Sequence, residues 1–136
     1  MAEAPITRAH IDELLRFLPV LGSPGPRTEA TWHVPGRDAE GVLAMPYPTY
    51  PPALEEFFSL AGQECWCDFK YVPEEAGKMI RDDAVIASAS LDQIKAMLTF
   101  CVRGERFCDG HWGAMVNEGR IGAILRRLQQ FRDKCR

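Results

Sequence analysis

The sequence predicts a mainly α-helical fold: a single-domain bundle of about five helices, with a proline-rich loop region and at most a small β-hairpin. Apolar residues recur at helical spacing in several segments, most clearly over residues 91–102 and 121–131. Seven of the ten prolines crowd into residues 19–51, where no long helix can run. The chain of 136 residues is 46% hydrophobic and 26% charged, which suits one globular domain. Such a chain buries roughly two-thirds of its unfolded surface and needs no staples.

The elements follow in order. Residues 1–6 read as a flexible tail. Thr7 can cap a helix from Arg8 to about Leu18, with Ile11, Leu14, Leu15 and Leu18 on one face. Pro19 should end it, because the residue before a proline avoids helical angles. Within 19–51, Ala30–Val34 and Gly41–Ala44 are short extended runs that could pair across the turn PGRDAEG. Pro51-Pro52 suits a helix start, and Leu54, Phe57, Phe58 and Ala61 give its apolar stripe up to Gly62. CWCDFKYV (65–72) reads as a short strand or a tight turn, and Pro73 to about Arg81 as a short helix.

Ser90 and Gln93 form a capping box, in which each side chain bonds the other's backbone amide. The helix they start should run to about Arg103, with Gly104 as its stop. Asp109 can cap a short helix through Met115 and Val116, ended by Gly119. A last helix starts near Arg120, with Ile121, Ile124, Leu125, Leu128 and Phe131 inward.

The stretch RGERFCDGHW (103–112) is the densest in chemistry. With Asp109 as cap, Gly110 and His111 fall in a first helical turn, whose unpaired amides attract anions. Arg103 and Arg106 could add bidentate donors to a carboxylate or phosphate. The candidate ligand-binding residues are therefore Arg103, Arg106, Cys108, Asp109, His111 and Trp112. The same residues also read as a helix–helix corner. Glu105 would pair with an arginine, Phe107 would plug the core, and Asp109 would satisfy the amides itself. That second reading accounts for much of the composition.

Cys108 and His111, three residues apart, could form a thiol–imidazole dyad. Cys65, Cys67, Cys108 and His111 offer four soft zinc ligands, but C-x-C is a poor zinc spacing. Asp68, Glu74, Glu75, Asp82 and Asp83 follow no calcium-loop pattern and read as a solvated face. The glycines at 110, 113, 119 and 122 spell neither a dinucleotide nor a phosphate loop. No cofactor and no resident metal are expected.

Six cations (Arg120, Arg126, Arg127, Arg132, Lys134 and Arg136) face one acid, Asp133, in the last helix, within a chain of net charge −3. The asymmetry could mark an acidic partner, yet no aromatic row accompanies it for base stacking, so nucleic acid is disfavoured. MPYPTYPP (45–52) could line a groove through Tyr47 and Tyr50, with Trp32 nearby, or lie as a stiff loop over the core. Glu3, Arg8, Asp12 and Glu13 leave no apolar leader segment, and no run approaches a membrane span. The five cysteines then read as reduced thiols in a cytoplasm.

The segment LTFCVRGERFCDGHWGAMVNEGRIGAILRRL (98–128) resembles a family of small, uncharacterised bacterial proteins, a domain of unknown function. The matching residues are Arg103, Glu105, Arg106, Phe107, Cys108, Asp109, Gly110 and His111, then the Gly119 break and the apolar helix. MPYPTYPPALEEFF and CDFKY match more loosely. The resemblance implies a bacterial cytoplasmic protein and carries no catalytic role. The expectation is a non-enzymatic binding or interaction module, with a homodimer through an apolar helix face compatible with it. The alternative is a protein binding a small anionic ligand, or an enzyme, with its site at the corner 103–112.

Overall fold

The computed structural model describes residues 6–22, 30–33, 41, 46–105, 108 and 110–134. These form α1 (Arg8–Leu15), α2 (Leu18–Leu21), β1 (Thr31–His33), β2 (Tyr47–Thr49), α3 (Pro52–Ala61), a 3-10 turn (Glu64–Trp66), α4 (Pro73–Ile80), α5 (Asp83–Ala87), α6 (Leu91–Gly104), α7 (His111–Asn117) and α8 (Arg120–Lys134). The protein is mainly helical with one small antiparallel sheet, as the periodicity predicts. The helices are more numerous than the expected five, because several are cut short.

The first cut is at Leu18. Pro19 does not terminate a helix there; it sits in the first turn of α2, where its missing N–H has no intrahelical role. The expected helix instead breaks over residues 16–17. A second short helix, α5, was not expected. Asp82 starts it by accepting from the amides of Ala84 and Val85, at 3.0 and 3.4 Å. Residues 65–72 hold no strand, and a 3-10 turn opens that segment.

The hairpin expectation was half right. Thr31–His33 is a strand, but its partner is Tyr47–Thr49, paired Thr31 to Thr49, Trp32 to Pro48 and His33 to Tyr47. Gly41 lies outside any strand, and residues 42–45 lie outside the described residues. The second strand carries Pro48 at its centre, opposite Trp32. In a two-stranded ribbon every strand is an edge, where proline's missing N–H need not interrupt the ladder. Of the expected tail, Ile6 packs against the core and residues 1–5 lie outside the described residues.

Capping was legible. Thr7 Oγ1 accepts the His10 amide while His10 Nδ1 accepts the Thr7 amide. Ser90 and Gln93 bond reciprocally at 3.1 and 2.8 Å. The predicted stripes form one continuous core drawing on every α-helix, including Leu14, Leu21, Leu54, Phe57, Trp66, Met97 and Leu125. Each large side chain buried there contributes about 1.5–3 kcal/mol. Gly122 lets α8 lie close over the end of α2: a Cβ there would meet the Gly22 Cα at 3.1 Å.

The cations of α8 serve the fold. Arg120 pairs with Asp83 at 3.1 Å, and Arg126 donates to the Gly22 carbonyl at 3.3 Å. Arg127 donates to the Ala89 carbonyl at 2.8 Å and lies over the Phe131 ring, and Arg132 pairs with Asp12. The charge asymmetry that suggested an acidic partner thus fastens α8 to its neighbours. Arg136 and the Lys134 side chain lie outside the described residues.

Candidate functional site

The corner between α6 and α7 is organised by one carboxylate. Glu105, the residue after α6, accepts the Trp112 amide at 2.9 Å and the Gly110 amide at 3.1 Å. The hydroxyl of Tyr50, the residue after β2, donates to the same carboxylate at 2.9 Å. Among the described residues, these three donors rather than an arginine bond Glu105. The cap position of α7 belongs to Gly110, with φ 89°, rather than to Asp109. Burial, and then the Glu105 carboxylate, push the Tyr50 phenol up, so it remains a donor. The spot that would attract an anion at α7 already holds a carboxylate.

Aromatic packing fastens the same corner. Trp112 stacks on Phe58 with centroids 4.7 Å apart and planes 5° from parallel, and it touches Tyr50 at 5.5 Å. Its indole N–H donates to the Val102 carbonyl at 3.1 Å. A Cβ at Gly110 would meet the Trp32 ring at 2.7 Å, so the ribbon seats on this glycine. Trp32 and Tyr47 remain about half exposed, at 48% and 49%.

His111 fits a notch made by Gly104. A Cβ at position 104 would lie 2.4 Å from the imidazole ring. The ring meets Phe100 edge to face at 5.2 Å, and among the described residues its buried Nε2 has no hydrogen-bond partner. Burial lowers its pKa, while Glu105, the Phe100 backbone and Glu118 pull the other way. The ring also borders a second recess, of ≈ 380 Å³, lined in part by Arg81 and Arg120.

Of the six residues singled out in the sequence, the four that are described lie in different surroundings. Trp112 belongs to the aromatic packing and His111 to the notch, while Cys108 is exposed. Arg106 and Asp109 lie outside the described residues. Arg103 points away from the corner, towards the loop after α3. Among the described residues no group of three or more His, Cys, Asp or Glu could hold a metal ion. Cys65 is buried in the core, where burial pushes its thiol up, whereas Cys67 lines an open groove.

That groove escaped sequence reasoning. It lies between the end of α3, the 64–69 segment and α6, with a volume of ≈ 430 Å³. Ala61, Val102 and Phe69 give it apolar walls, and Glu64, Cys67, Thr99 and Arg103 are the polar residues among its described lining. The Arg103 guanidinium lies 5.3 Å from the Tyr71 ring and donates to Cys67 Sγ at 3.5 Å. Thr99, buried mid-helix, accepts the Asp68 amide at 2.9 Å and donates to the Lys95 carbonyl at 2.8 Å. It pins the loop that carries Cys67. A threonine among the apolar residues of α6 was the available signal, since a buried hydroxyl needs partners.

No helix among the described residues is long and apolar enough to cross a membrane. Neither a curated protein nor a solved structure matches the chain. Residues 6–134 match the model of a family described as a family of unknown function, DUF6508, and the chain belongs to that family.

Proposed function

We propose that the protein is a single-domain binding module that holds a small ligand in the groove beside Arg103 and does not transform it. The ligand has an apolar body and an acidic end. One observation carries this reading: a preorganised guanidinium at the wall of an open, ligand-sized, mostly apolar groove. The volume of ≈ 430 Å³ lies within the ~300–1,000 Å³ usual for small-molecule sites. Arg103 is already oriented by Tyr71 and Cys67, so a ligand need not order it. A thiol is a weak acceptor, and among the described residues no carboxylate pairs with Arg103, so strong donor capacity remains for an acid. A cytoplasmic setting is part of the proposal, because an exposed Cys108 and a groove-wall Cys67 suit a reducing compartment.

The test is calorimetric titration with 3-phenylpropionate and octanoate, on the native protein and on Arg103→Gln. A charge-assisted hydrogen bond contributes about 1.5–3 kcal/mol, so the variant should bind at least about tenfold more weakly. If neither acid binds the native protein, or if Arg103→Gln binds both as well, the reading is wrong.

A further inference from the structure

We infer that the groove recognises a zwitterion, an apolar body bearing both an acid and an amine, and that Glu64 is the group that selects the amine. This inference rests on the proposed ligand site and narrows its ligand. Among the described residues lining the groove two are charged: the cation Arg103 and the anion Glu64. They come from different elements, both firmly held. Arg103 belongs to the last turn of α6, and Glu64 opens the 3-10 turn.

That turn is anchored by the fully buried Trp66 and by the Glu64 carbonyl, which accepts the Cys67 amide at 3.2 Å. Thr99 then ties the following residue, Asp68, to α6. The two charged residues therefore line the same groove on a fixed backbone frame. Between them the walls are apolar, and Phe69 keeps 59% of its surface open to a ligand.

The charge pattern discriminates among ligand classes. A simple carboxylate pairs with Arg103 but adds a second negative charge near Glu64. A neutral apolar molecule strips water from both charges and returns nothing. A cation alone meets Glu64 and opposes Arg103. Only a ligand with one acid and one amine answers both groups while covering the apolar walls. Free apolar amino acids and short apolar peptides share this chemistry, and both fit a groove of this size.

The experiment titrates L-phenylalanine, the dipeptide leucylphenylalanine and 3-phenylpropionate into the native protein, Glu64→Gln and Arg103→Gln, with circular dichroism confirming that each variant is folded. The expected result is that the amino acid or the dipeptide binds at least tenfold tighter than 3-phenylpropionate. Which of the two binds tighter identifies the source. In Glu64→Gln that preference should collapse, because 3-phenylpropionate gains while the zwitterion loses. Arg103→Gln should weaken all three. Equal binding of 3-phenylpropionate and both zwitterions overturns the role of Glu64 and leaves the acid-binding groove standing. So does a preference that survives Glu64→Gln. Failure of all three ligands to bind overturns the groove itself.

Discussion

The two ends of Arg103's neighbourhood make opposite use of polar residues. On one side, the α6–α7 corner gathers Glu105, Tyr50, His111 and Trp112, and the Glu105 carboxylate, the Tyr50 hydroxyl and the Trp112 indole are each bonded to a neighbour. On the other, the groove holds a few polar groups, and among the described residues neither Arg103 nor Glu64 forms an ion pair. Density of reactive side chains is thus a poor guide to a site. What distinguishes the two is whether donors and acceptors are already paired.

The sharpest way to break this contrast is at Glu105. Glu105→Ala removes the acceptor for two backbone amides and a phenol. Leaving such partly buried donors unpaired should cost about 3 kcal/mol in all. Urea unfolding measures it, and a loss below about 1 kcal/mol would show that the corner is no joint. Tyr50→Phe removes one of the three donors and should cost less.

Gly110→Ala comes next. Its φ of 89° disfavours any side chain, and the added Cβ would press on Trp32 at 2.7 Å. The expected loss is about 2 kcal/mol. Because Trp32 must also shift, its fluorescence should change in the folded state, which a purely local backbone strain would not produce.

The groove should respond in the reverse way. Arg103→Gln lies at an open wall, and its protein contacts are a thiol and a ring face. Its unfolding midpoint should move little, by under about 1 kcal/mol in stability, while affinity for an apolar acid falls about tenfold. A variant that destabilised as much as Glu105→Ala would make Arg103 a structural residue like its neighbours in the corner.

Much of the fold was legible because its signals are local. The cap at Thr7, the capping box at Ser90 and the stripe Leu54, Phe57, Phe58, Ala61 are each written within one or two helical turns. The strand pairing was not, since Pro48 contradicts strand propensity and only its edge position makes it acceptable. The site was least legible. RGERFCDGHW drew attention by composition, but the partners of Glu105 include Tyr50, 55 residues away. The groove depends on Arg103 meeting Cys67 across 36 residues, a contact that no periodicity encodes. The charge asymmetry of α8 likewise could mark an acidic partner, and its acceptors, Asp12, Gly22, Asp83 and Ala89, lie far off in the sequence.

The smallest expected effect belongs to His111, and its sign follows from burial. The ring sits in the Gly104 notch with Nε2 buried and unpartnered among the described residues, so the native state disfavours the charged form and its pKa is lowered. In the unfolded chain the same imidazole takes up a proton near its ordinary value of about 6.5. As pH falls through that value, the unfolded state gains a proton that the native state refuses, and stability declines. Above it both states are neutral, and the full contribution of the packed ring is present. The urea midpoint should therefore drop between pH 8 and pH 5, and His111→Phe should flatten that part of the profile even if it costs stability at every pH. An unchanged slope in the variant would assign the pH dependence to other groups, and the notch would then hold a ring whose charge state the corner tolerates.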